Sequence, residues 1–99
     1  MKTEEFNKLS KEMMIECFKI LEKKGHDYTL GSDDALGNFK LIASRTGLTP
    51  LQVFSVYFLK HVDSILTYIK NGELKSETIE SRIQDAINYL LLLHGLIKE

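Results

Sequence analysis

The chain reads as an all-α protein, a compact four-helix bundle. Three observations predict this. Apolar residues recur at three- to four-residue spacing in four separate segments. No segment gives a convincing strand pattern. The links between segments are short, and the only proline, Pro50, falls at a helix start, where it breaks nothing.

The first helix is expected over residues 3–24. Thr3 can cap it, and Phe6, Leu9, Met13, Cys17 and Ile20 form one stripe. Gly25 is expected to end it, with Lys23 and Lys24 in the last turn, where cations suit the negative end of the dipole. A loop from His26 to Asp34 follows, and its Gly31-Ser32-Asp33 segment reads as a turn into a cap. The second helix is expected over 33–46, carrying Leu36, Phe39, Leu41, Ile42 and Ala43 and stopped by Gly47. Thr49-Pro50-Leu51-Gln52 then gives the sharpest boundary: Thr49 at the N-cap, Pro50 at N1, and Gln52 closing a capping box. The third helix should run over 50–70 and end at Asn71-Gly72. Ser76 is a plausible cap for the fourth, expected over 77–97. From Ala86 to Ile97 that helix is apolar almost all round. A chain of 99 residues can seldom bury every face of one helix, so an oligomer contact through the C-terminal helix is expected.

Composition bounds the function. Apolar residues make up 43% and charged residues 27%, ordinary for one globular domain with a modest core. The formal net charge of −1 gives no basic excess for unspecific nucleic-acid binding. Cys17 is the single cysteine, so an internal disulfide cannot form and a reducing compartment is expected. The opening Met1-Lys-Thr-Glu-Glu is too acidic and polar for a secretory signal, and the run Leu90 to Leu93 is far too short to span a bilayer. A cytoplasmic protein with no membrane partner is expected. No P-loop, GxGxxG, CxxC or Ser/His/Asp series is present.

The segment from Glu77 to Tyr89 carries the most chemistry. On a helix, Glu77, Ser81, Asp85 and Asn88 share one stripe, and Ile79, Ile83, Ile87, Leu90 and Leu91 fall mainly on another. Two carboxylates two turns apart are separated by roughly 12 Å along the axis, so they cannot chelate one ion without a facing helix. Glu77 also suits a helix start for dipole reasons alone, and Asp85 could simply pair with a lysine. Asn88 in an oily segment needs a partner, whether another helix or a ligand. On the third helix, Lys60-His61-Val62-Asp63 puts Lys60 and Asp63 on one face at the margin of a very apolar run. They could form a plain surface pair or meet a phosphate, and His61 reads as structural. The segment Lys24-Gly-His-Asp27-Tyr28 offers a cation, a carboxylate and an aromatic ring, the residue types a nucleotide needs. Glu12 and Glu16 sit among lysines on a solvated face, and Cys17 reads as core.

Taken in order, Lys24-x-x-Asp27-Tyr28, Asn38-Phe39, Lys60-His61, Glu77 and Asp85-x-x-Asn88-Tyr89 resemble small all-helical phage and prophage proteins of the "nucleotide modification associated" type. More distantly they resemble the MazG-like all-α nucleoside triphosphate pyrophosphatases. The resemblance covers about residues 20–99. It implies that Glu77 and Asp85 are metal ligands for Mg2+ and, with Asp63 or Glu16 as the facing acid, catalytic. It implies that Lys24 and Lys60 neutralise phosphate, that Tyr28 stacks on a base, and that Asp27, Asn38, His61, Asn88 and Tyr89 meet the substrate. Two positions depart from the pattern. Arg82, not an acid, stands three residues before Asp85, and Ser81 stands where the phage relatives often carry Asp. The expected function is nucleotide binding or processing in the host cytosol, with magnesium-dependent hydrolysis of a nucleoside triphosphate to monophosphate and pyrophosphate as the enzymatic version. The alternatives are a sponge that sequesters a signalling nucleotide, and a protein-interaction module that inhibits a host enzyme.

Overall fold

A computed structural model of the chain describes residues 1–29 and 32–99. It contains four helices: α1 (Thr3–Tyr28), α2 (Gly37–Thr46), α3 (Pro50–Asn71) and α4 (Ile79–Lys98), and the described residues include no strand. The central pair is α3 and α4. The short α2 packs on α3, and α1 lies along α4.

Capping chemistry fixes most of the boundaries. Thr49 Oγ1 accepts from the Gln52 amide at 3.2 Å, and Gln52 Oε1 accepts from the Thr49 amide at 2.9 Å, so both halves of the capping box form. Gly47 and Gly72 close α2 and α3 in the left-handed region, at φ 73° and 78°, where a side chain would be strained. Three boundaries differ from expectation. Lys2 rather than Thr3 is the N-cap of α1, without a side-chain bond, and Glu4 and Glu5 complement the dipole instead. The same helix runs through Gly25 to Tyr28. Thr78, not Ser76, caps α4, accepting from the Ser81 amide at 3.1 Å, which leaves Glu77 just outside the helix.

The start of α2 also shifts, from Asp33 to Gly37. Ser32 Oγ accepts from the Asp34 amide, and Asp34 Oδ1 accepts from the Leu36 amide at 2.9 Å. These side-chain bonds hold a turn that competes with helix. Gly31 of the expected turn lies outside the described residues. Lys40 then ties this turn to the chain end, bonding Asp34 at 2.6 Å and also Glu99. The bond from Lys40 lowers the Asp34 carboxyl below its ordinary value, and the same partners raise the Lys40 ammonium.

Phe39 and Ala43 of α2 and Val53 and Phe54 of α3 form the buried centre, covered by Tyr89, Leu92, Leu93 and Leu96 of α4. Phe54 stacks on Phe58 at 5.1 Å between ring centroids, and Phe39 meets Tyr89 edge-on at 6.2 Å. The inward face of α4 is therefore the line through Asp85, Asn88, Tyr89, Leu92 and Leu96. Of the expected apolar stripe, Ile79, Ile83 and Ile87 are half-buried, whereas Leu90 and Leu91 are 50% and 36% exposed. The polar residues of α4 and its core residues share one side, so any hollow in the core opens onto polar groups.

On α1 only Cys17 is buried. It is held against α4 by a bond from Asn88 Nδ2 to the Cys17 carbonyl at 2.9 Å, and its Sγ lies 4.0 Å from the Gln84 carbonyl oxygen. Burial pushes the thiol above its ordinary pKa, so it stays protonated and unreactive.

Candidate ligand-binding cavity

A cavity of about 640 Å³ lies where the second half of α1, the start of α2, the middle of α3 and the first half of α4 converge. Its size is within the range of about 300–1,000 Å³ usual for small-molecule sites. Each helix contributes at its own period. Leu21, Lys24, Gly25 and Tyr28 come from α1, Tyr57, Lys60 and His61 from α3, and Asp85, Asn88, Tyr89 and Leu92 from α4. Asn38 and Phe39 of α2 complete one wall, and Glu77 and Arg82 stand where α4 begins.

Of the residues expected at a site, Lys24, Tyr28, Asn38, Lys60, His61, Glu77, Asp85, Asn88 and Tyr89 all line this one hollow. Asp27 and Asp63 do not, and both are exposed. The reason is the same for each. The lining positions on α1 are 24, 25 and 28 and those on α3 are 57, 60 and 61, so positions 27 and 63 are turned about 100° off the line. Asp63 therefore does not face Asp85 across the cavity, and Glu16 pairs with Lys19 at 3.4 Å on the outer surface of α1. Sequence reasoning missed Tyr57 and Arg82 as lining residues. Tyr57 is three and four residues before Lys60 and His61, a spacing that places it on their line.

The charges are arranged in pairs. Asp85, largely buried, lies 3.1 Å from Lys24 Nζ and 3.8 Å from His61 Nδ1. The second distance is too long for a hydrogen bond. Burial holds the His61 pKa below its ordinary value; Asp85 opposes this, and Arg82, Lys24 and Lys60 reinforce it. The imidazole is thus neutral at pH 7. Its ring lies against Tyr89, with centroids 4.8 Å apart, and burial raises the Tyr89 phenol. Glu77 forms an ion pair with Arg82, its Oε2 lying 3.3 Å from Arg82 Nε, and accepts a hydrogen bond from Ser81 Oγ at 3.1 Å. Lys60 has no carboxylate within ion-pair distance among the described residues.

Two buried polar atoms at the cavity, His61 Nδ1 and Asn88 Oδ1, lack a hydrogen-bond partner among the described residues. Asn88 is 5% exposed, and its Nδ2 is committed to the Cys17 carbonyl, so Oδ1 is an acceptor in need of a donor. Glu77 and Asp85, the two acids expected to hold magnesium, both line the cavity. Among the described residues no three His, Cys, Asp or Glu side chains gather where they could hold a metal, and each cavity carboxylate already faces a cation. What the arrangement offers is a pair of lysines on two different helices, a half-buried guanidinium, flat tyrosine rings, and an amide oxygen at the base.

Among the described residues no helix is long and apolar enough to cross a membrane. Comparison with family models, with characterised proteins and with known structures finds no match for this chain.

Proposed function

We propose that this chain binds a nucleotide in the cavity between α1, α3 and α4 and does not cleave it. One observation carries the reading. The two acids expected to hold magnesium, Glu77 and Asp85, are each matched by a basic side chain of the protein, whereas Lys60 stands at the cavity with its charge unspent. A site of that kind attracts an anion and lacks the convergent carboxylates of two-metal phosphoryl chemistry.

The other lining groups support the same ligand. Tyr28 and Tyr57 offer rings for a base. Asn88 Oδ1 calls for an N–H or O–H donor, which bases and riboses carry. The order of motifs supports affiliation with the phage-type nucleotide proteins, and within that group the sequestering role is favoured over hydrolysis.

Titration calorimetry with nucleoside mono- and triphosphates and with cyclic nucleotides, in magnesium and again in EDTA, tests the proposal. Binding in EDTA, with the nucleotide recovered intact, is the expected result. Release of pyrophosphate from a triphosphate, or binding that requires magnesium, refutes it in favour of the hydrolase.

A further inference from the structure

We propose that a second copy of this chain covers the first half of α1, so that the protein is a two-fold symmetric dimer built on that helix. The apolar stripe of α1 is continuous from Phe6 through Leu9, Met13 and Cys17 to Ile20. Its second half meets α4, and Cys17 is completely buried there. Its first turns are open: every residue from Thr3 to Leu9 is exposed, with Phe6 at 57% and Leu9 at 52%. Covering these side chains would remove their apolar surface from water. Leu91 of α4, spaced to follow Gln84 and Asn88 along the side that meets α1, is also left open. Phe6, Leu9 and Leu91 thus leave apolar side chains uncovered on α1 and α4.

The exposed area is of the size a second copy would cover. The chain exposes 7435 Å². A compact monomer of 11.4 kDa exposes about 5,800 Å², which leaves an excess of about 1,600 Å². Obligate homodimers bury about 1,000–2,500 Å² on each partner. The radius of gyration, 15.2 Å, likewise exceeds the value of about 12.6 Å for a compact chain of this length. A self-complementary contact between the α1 surfaces of two copies would cover area of this order and needs no unidentified partner. The contact is centred on α1 rather than on the C-terminal helix alone, and it is independent of what the cavity holds.

Sedimentation equilibrium of the full chain from 1 to 100 µM tests this, with the paired substitution Phe6→Glu and Leu9→Glu and, as a control, Leu66→Glu on the exposed side of α3. The expected result is a dimer for the native chain and for L66E, and at least a hundredfold weaker association for the α1 variant. Hydrogen exchange on the native chain supplies a second readout that needs no variant. Amides 6–16 should exchange faster on dilution while those of α3 do not change. A native chain that stays monomeric at 100 µM overturns the proposal. So does a dimer that survives the α1 substitutions and dissociates with L66E, or exchange of amides 6–16 that ignores concentration.

Discussion

Replacing Asp85 by Asn separates the anion-binding reading from the metal-dependent one more sharply than any other single change. The carboxylate is pinned beside Lys24 at 3.1 Å and is mostly shielded from water. For a phosphodiester placed about 7 Å from it, at an effective dielectric constant of about 40, the two charges repel by about 1.2 kcal/mol. Salt at physiological strength reduces this to about 0.5–1 kcal/mol, a two- to fivefold effect on affinity. The amide removes the repulsion and frees Lys24, so nucleotide affinity should rise by that factor. Stability should fall only slightly, by up to about 1 kcal/mol, because Lys24 is half exposed. Calorimetry with a cyclic mononucleotide in EDTA is the assay, since the charge of a phosphodiester does not titrate near neutrality. A tenfold loss of affinity in a folded D85N protein would mean that the carboxylate holds the ligand, directly or through a metal, and the anion-binding account would fail.

Three other outcomes follow from the geometry. His61 has a folded pKa below its unfolded value near 6.5, so its contribution to stability is complete above about pH 6.5 and is lost as pH falls through the folded value; urea unfolding from pH 7.5 to 5 should show this loss, and His61→Phe should flatten it. Gly25 is helical with open space where a Cβ would stand, so Gly25→Ala should stabilise the protein by about 0.5–1 kcal/mol while placing a methyl group at the cavity and weakening nucleotide binding; thermal melting and calorimetry read the opposite signs. Thr49→Ala removes one half of the capping box and should cost about 1 kcal/mol, a fall of about 4–8 °C in Tm; an unchanged melting curve would mean that the cap contributes nothing.

The helix pattern was legible where local chemistry leaves a single solution. Thr49-Pro50-Leu51-Gln52 satisfies its own orphan amides, and Gly47 and Gly72 take a backbone conformation that other residues resist. It was not legible where two local solutions compete. Ser76 and Thr78 are both good caps, and choosing between them depends on where α4 meets the rest of the bundle. Gly25 can end a helix or continue one. It continues here, and the extra turn carries Tyr28 to the cavity. The site residues were legible as types in order along the chain. Their facing was not. Asp27 and Asp63 differ from their cavity-lining neighbours only by rotation about a helix axis, and that rotation is set by tertiary packing. The inward side of α4 is set by packing in the same way: Tyr89 and Leu92 pack on the cluster of Phe39 and Phe54, while Leu90 and Leu91, in the segment expected to be too apolar to bury on every face, stay exposed.

The contact between Asn88 and the Cys17 carbonyl has a mechanical consequence. Helix α1 rests mainly on α4, and the hollow separates Lys24 on one from Lys60 on α3. A guest that touches both lysines therefore acts as a strut, bracing a rod that is otherwise propped along one edge. Occupancy should register far from the guest itself, in the rigidity of α1 as a whole and thus in how firmly its leading turns are presented.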